Sequence, residues 1–204
     1  MSEDSRKLRF GLWYDFRNPP QWRQSSDRLY REIFDQIAWA ENRGFDDVWL
    51  SEHHFIEDGY LPSILPIAAA IAARTNRIRI VSGVLLMPFH NPIRLAEDIA
   101  TVDVISGGRF ELGVGIGFKR EEFTGFGVSS KERGARTDQS LEIIRRALAG
   151  RPSLSSLGSR CCLLFPPGLA KAFEHMIVIL GPHPRHAAPH VHVERSRRDR
   201  DGLP

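Results

Sequence analysis

The chain has 204 residues, enough to bury the core of one domain of ordinary size. Hydrophobic residues make up 42% and charged residues 26%, the balance of a globular chain rather than a disordered or fibrous one. No run approaches the ~18 apolar residues of a membrane helix, and the opening MSEDSRKLRFGLW has no signal-peptide hydrophobic stretch, so a cytoplasmic location is expected.

The net charge of +3 is unevenly spread. Residues 1–150 carry 20 basic and 21 acidic side chains, whereas residues 151–204 carry 8 and 4. The main body has no basic stripe with interleaved aromatics, which excludes a nucleic-acid-binding surface from the expectations. The two cysteines, Cys161 and Cys162, are adjacent, and that fits a reducing compartment rather than a disulfide framework.

RFGLWYDF (residues 9–16) is short, aromatic-rich and bounded by NPP, and so predicts a strand. A helix follows from Ser25–Ser26–Asp27, with Leu29, Ile33 and Ile37 at helical spacing and Gly44 as its stop. DDVWLS predicts a second strand, and LPSILPIAAAIAARTN a helix opened by Pro62. IRIVSGVLLM is nearly continuous in apolar residues, as a parallel strand covered on both faces would be. Asn91–Pro92 predicts a helix start, with Leu95, Ile99, Val102 and Ile105 as the buried stripe and Ser106–Gly107–Gly108 as the stop. RFELGVGIGF is a fourth strand running into a glycine-rich loop. Ser129 and Glu132 predict a capping box for the helix through Leu141, Ile144 and Leu148.

Four strand–helix repeats demand parallel strands and right-handed crossovers. At about 35 residues per unit they match half of a (β/α)8 barrel, of the TIM-barrel type, with an open doubly wound sheet as the alternative. The expected division is residues 1–150 as the half barrel and 151–204 as an irregular tail. That tail holds 7 of the 13 prolines and 5 of the 8 histidines. In it only MIVIL (residues 176–180) predicts a strand and AKAFEHM a short helix, while HPRHAAPHVH matches no defined zinc motif.

Three features bear on chemistry. In SEHHF (residues 51–55), alternation along an extended chain puts Glu52 and His54 on one face and His53 on the other, so the two imidazoles do not grip one metal together. No metal is expected. A role in a ligand pocket is favoured over a structural polar end, because active sites of barrels lie at the C-terminal ends of strands. GVGIGF (residues 113–118) fails the G-x-G-x-x-G pattern at Phe118, yet Gly113, Gly115 and Gly117 permit a close backbone approach to a ligand. Gly83–Val84, inside the third strand, is a further point of close approach. His90 reads as a solvated loop residue, and Trp13, Phe16 and Trp49 read as core.

VWLSEHHFIEDG, MPFHNPIRLAEDIATVDVISGGRFELGVGIGF and EEFTGFGV followed by ERGARTDQSLEII together resemble the bacterial luciferase-like flavin-dependent monooxygenases, in order, over residues 8–149. The resemblance implies a (β/α)8 barrel that binds reduced flavin, FMN, at the strand C-termini and activates O2 to oxidise a small-molecule substrate. A close variant uses the deazaflavin coenzyme F420 as an oxidoreductase. It implies His53 as the catalytic residue, which Glu52 could orient. Glu52, Gly83, Val84, Gly115 and Ile116 are implied as cofactor-binding, with a non-prolyl cis peptide at Gly83–Val84. Ile116 departs from luciferase, where an arginine helps to hold the flavin phosphate, and so phosphate recognition falls to other residues. The implied partners are a separate flavin reductase and a second copy of the chain. The break after residue 150 suggests a shifted reading frame or a truncated gene. A non-catalytic half barrel that self-associates through open edges is the competing expectation, and a metal-dependent hydrolase resting on EHH alone is a third.

Overall fold

A computed structural model describes residues 8–149, together with two short strands at 177–179 and 191–192. The eight strands are β1 (Gly11–Tyr14), β2 (Asp47–Leu50), β3 (Arg79–Ser82), β4 (Leu85–Leu86), β5 (Phe110–Glu111), β6 (Gly113–Gly115), β7 (Ile177–Ile179) and β8 (Val191–His192). The helices are α1 (Ser26–Asn42), α2 (Ile64–Arg74), α3 (Pro92–Ser106), the short α4 (Arg120–Gly125) and α5 (Arg133–Leu148). β1, β2, β3 and β5 pair in parallel in that order, as do β4, β6 and β7. This is the α/β partial barrel that the repeats predict. β8, which no sequence signal announced, runs antiparallel to β7. Most of the tail, including AKAFEHM, both cysteines and most of HPRHAAPHVH, lies outside the described residues. No helix among the described residues is long and apolar enough to cross a membrane.

The period of two divides each strand. Val48, Leu50, Ile80, Phe110 and Leu112 are buried beneath α1, α2, α3 and α5 and join Ile37, Ile71, Ile99 and Ile144 in one core. Burying each such side chain contributes roughly 1.5–3 kcal/mol. The opposite face carries Asp47, Trp49, Arg79, Val81 and Glu111. There Arg79 Nη2 donates to Asp47 at 3.1 Å and Nη1 pairs with Glu111, while Trp49 Nε1 donates to Asp47 Oδ1 at 2.8 Å.

The third and fourth strands are each interrupted. The peptide between Gly83 and Val84 is cis and divides β3 from β4. Beside the break, Ser82 Oγ donates to the Gly113 carbonyl and accepts from the Gly113 amide, both at 2.8 Å, so one hydroxyl replaces a rung of the ladder.

Local chemistry explains most helix boundaries. Asn91 Oδ1 accepts from the amides of Ile93 and Arg94, and Gly107 takes the left-handed conformation (φ 65°) that stops α3. α2 starts at Ile64 rather than at Pro62; Pro66 then falls in the first turn, where a missing N–H costs nothing. The capping box at Ser129 and Glu132 is not made. Glu132 is itself the N-cap, its amide closing a turn on Ser129, so Ser129 lies outside the helix. Ile105 leaves the α3 stripe at 45% exposure, because 15 residues at 3.6 per turn carry the face past it.

One joint ties α2, α3 and the sheet together. Arg109 Nε donates to the Ser106 carbonyl, Nη1 to Thr75 Oγ1 and the Ile78 carbonyl, and Nη2 to the Ala72 and Thr75 carbonyls, at 2.7–2.9 Å. Its charge sits at the C-terminal end of α2, where the helix dipole favours a cation.

Candidate active site at the strand ends

Beyond their C-terminal ends, the strands open onto a cleft of about 220 Å³. All six residues implied at the site, namely Glu52, His53, Gly83, Val84, Gly115 and Ile116, line it. So do Trp13, Ser51, Tyr60, Leu86, Gly117, Phe118 and Arg133. The walls are mainly apolar, and few polar groups converge on them, as in small-molecule sites.

β2 ends at Leu50, and the chain then leaves the sheet without regular structure over residues 51–53 and bends at His54 and Phe55. As alternation requires, Glu52 and His54 meet on one side: His54 Nε2 lies 2.7 Å from Glu52 Oε1. His90 Nε2 lies 3.2 Å from the same oxygen, and the Leu86 amide donates to Oε2 at 3.1 Å. His90 is therefore a partner of a buried carboxylate, not a solvated loop residue. That contact spans 38 positions and leaves no trace in local composition. His54 turns away from the cleft into the rings of Phe89 and Phe126.

Glu52 is only 2% exposed. Burial pushes its carboxyl up, but the hydrogen bonds from His54 and His90 and their positive charge outweigh that, and the net shift is below the ordinary 4.5. A depressed folded value contributes stability that is complete above pH 4.5 and is lost as pH falls through the folded value. Stability measured by denaturant titration is expected to fall more steeply below pH 4.5 in the native chain than in Glu52→Gln. Equal slopes would remove Glu52 from the acid limb.

His53 is held differently from the expectation. Its Nδ1 lies 2.8 Å from Glu122 Oε1, and Glu52 does not touch it. Glu122, on α4, is fully buried and also accepts the His54 amide at 2.9 Å on the same oxygen. The rings of Tyr60 and Phe118 pack edge-on against the imidazole at 4.8 and 5.8 Å. Glu122 and its helix escaped the sequence reading because six residues are too few to display a period.

Trp13 reads as core but is 63% exposed. It stacks on Trp49, with centroids 6.4 Å apart and planes 13° apart, and Nε1 donates to Ser51 Oγ, which in turn meets the Tyr60 hydroxyl at 2.6 Å. Phe16 is buried, as expected. Opposite, a Cβ at Gly83 would come within 2.6 Å of the Trp49 ring, and one at Gly117 within 3.2 Å of Phe123. Gly83 and Gly115 line the cleft, so bare backbone forms part of its wall, which suits a flat ligand. Arg133, at the start of α5, is the cation on the cleft, and Nη1 donates to the Ser130 carbonyl at 3.2 Å. No group of three or more His, Cys, Asp or Glu among the described residues is arranged to hold a metal ion.

A family model described as luciferase-like monooxygenase matches residues 8–166, past the expected limit at 149. The 4-hydroxyprotoasukamycin monooxygenase of Streptomyces nodosus subsp. asukaensis is 34% identical over 122 residues, which are 60% of this chain and 33% of that protein. The crystal structure of the monooxygenase RslO1 from Streptomyces bottropensis superposes with a TM-score of 0.71 at 31% identity, covering 85% of this chain and 53% of that one. Two more distant structures share the fold. One is the oxygenating constituent of 3,6-diketocamphane monooxygenase from Pseudomonas putida in complex with FMN (TM-score 0.64, 23% identity, 72% of this chain and 42% of that one). The other is an F420-dependent secondary alcohol dehydrogenase in complex with an F420-acetone adduct (TM-score 0.60, 19% identity, 85% and 52%). The chain thus spans a third to a half of the length of these proteins.

Proposed function

The chain belongs to the luciferase-like monooxygenase family, and on that premise we propose that it binds reduced FMN in the strand-end cleft and uses O2 to oxidise a small organic substrate. One observation carries the reading: the six residues implied for cofactor and catalysis, scattered over 65 positions of sequence, converge on a single apolar-walled cleft that also holds one guanidinium.

The residues present fit such a group. Gly83, Val84, Gly115 and Ile116 would receive the flat ring system, and Arg133 would take the anionic phosphate that Ile116 leaves without an arginine. Once bound, the flavin supplies the redox chemistry and the reaction with O2. His53 is the proposed catalytic residue. With Nδ1 engaged by Glu122, its Nε2 can take or return a proton at the reacting centre. Trp13, Leu86 and Phe118 give that centre an apolar wall. Glu52 holds the exit of β2 against the Leu86 amide and so fixes the cleft wall. Supply of reduced flavin by a separate reductase, and pairing of two copies, belong to the same proposal.

Titrating the purified chain with FMN, and separately with coenzyme F420, tests the reading through changes in each cofactor's visible absorption. FMN is expected to bind with a Kd of about 1 μM. Arg133→Met is expected to weaken FMN about tenfold or more, as loss of a charge-assisted phosphate contact of roughly 1.5–3 kcal/mol implies. Riboflavin, which has no phosphate, should bind both forms alike. Preference for F420 would transfer the site to the deazaflavin variant, and binding of neither cofactor would refute the proposal.

A further inference from the structure

We infer that Glu122 is a positioning residue for His53: it fixes the imidazole as the Nδ1–H tautomer and so leaves Nε2 as the basic nitrogen. The inference rests on the reading of His53 as the catalytic residue, but its geometry stands apart from that reading.

Four observations converge. Glu122 is fully buried, and its Oε1 contacts two consecutive residues, lying 2.8 Å from His53 Nδ1 and accepting from the His54 amide at 2.9 Å. A backbone amide can only donate, so Oε1 is an acceptor at that point. An ionised carboxyl group has only acceptors, and with Glu122 in that form the nitrogen facing it carries the proton. Second, Tyr60 and Phe118 pack edge-on against the ring, so the imidazole cannot easily turn to present its other nitrogen. Third, His53 Nε2 makes no hydrogen bond among the described residues, and His53 lines the cleft. Fourth, Glu122 Oε2 is buried with no partner among the described residues, so the carboxylate acts through Oε1 alone. The second oxygen is not needed to anchor α4, whose backbone bonds run from Phe123 to Lys119 and from Phe126 to Glu122. A hydrogen bond to one imidazole nitrogen commonly decides which nitrogen is left to act.

The role differs from that of Glu52, which touches His54 and His90. It also predicts an asymmetry between substitutions. Glu122→Gln keeps both bonds through its amide oxygen and puts its amide nitrogen where Oε2 has no partner. Glu122→Leu fills the space and accepts nothing.

The test reads the tautomer directly, from long-range proton–nitrogen correlation spectra of the full-length, 15N-histidine-labelled chain without cofactor, at a pH where His53 is neutral. The native chain is expected to show protonated Nδ1 and bare Nε2. Glu122→Gln should retain that pattern, and Glu122→Leu should shift His53 toward the Nε2–H form. With cofactor added, Glu122→Leu is expected to lower kcat about 10–100-fold with cofactor Kd unchanged within about threefold, and Glu122→Gln to recover most of the loss. A native His53 in the Nε2–H form overturns the inference even if neither variant folds. So does a Glu122→Leu protein, folded by its amide spectrum, whose His53 tautomer is unchanged. If instead the tautomer follows Glu122 but His53→Ala turns over normally, the positioning contact stands and the catalytic assignment of His53 fails.

Discussion

His53→Ala is expected to slow oxidation of the bound reduced cofactor in the presence of substrate by about 10²–10⁴-fold, the usual contribution of a positioned acid–base group. Cofactor affinity should change by no more than about threefold. The reason for the split is geometric. The imidazole contributes one edge of the cleft wall, while Gly83, Val84, Gly115, Ile116 and Arg133 line the rest of it. Removing the ring takes away Nε2, a nitrogen with no hydrogen-bond partner among the described residues, on an imidazole held through Nδ1 by a buried carboxyl group. Rapid-mixing kinetics at saturating cofactor checks the outcome. An alanine variant that turns over at the native rate with cofactor bound would sink the assignment. Lost cofactor binding at unchanged turnover per bound cofactor would make His53 a binding residue instead.

The second large effect concerns stability. Arg109→Met keeps an unbranched stem but withdraws all five donors from the joint between α2, α3 and the start of β3. The carbonyls of Ala72, Thr75, Ile78 and Ser106 are left to water or to nothing, and the C-terminus of α2 loses its cation. A cost of about 3 kcal/mol follows from charged hydrogen bonds lost in a half-buried setting, which for a chain of this length is about 6–12 °C in Tm. Arg109→Lys should recover only part of it, because a single ammonium cannot reproduce the planar fork. A loss below about 0.5 kcal/mol for Met would mean that solvent already satisfies those carbonyls.

The two variants also separate what local sequence can reveal from what it cannot. Asn91–Pro92 and Gly107 announced α3 because capping is settled within three residues. DDVWLS announced β2, and the structure divides it with the strand period of two into buried Val48 and Leu50 and the opposite Asp47 and Trp49. The third and fourth strands were legible as runs; the cis peptide at Gly83–Val84 that divides the third was expected from the family resemblance alone, and the break in the fourth carried no signal. The bridge from Ser82 to Gly113 spans 31 positions and depends on which strands become neighbours. At the site, SEHHF drew attention as a cluster of titratable residues. Its partners, His90 and Glu122, lie 38 and 69 positions away from the residues they hold, within MPFHNP and EEFTGFGV, and nothing local says which residue each will meet. Trp13 was misread for a related reason. An aromatic residue on a strand is core only if the face it points to is covered, and which face is covered is a property of the assembled sheet.

The stacked pair of Trp13 and Trp49 has an optical consequence. Of the four tryptophans, these two are in contact, and Trp13 also borders the cleft, whereas Trp22 and Trp39 do not line it. A yellow chromophore in the cleft would drain excitation by energy transfer, most strongly from Trp13, which borders it, and from Trp49 stacked on Trp13. Loading of the cleft should therefore dim the intrinsic emission. The chain thus carries its own indicator of occupancy.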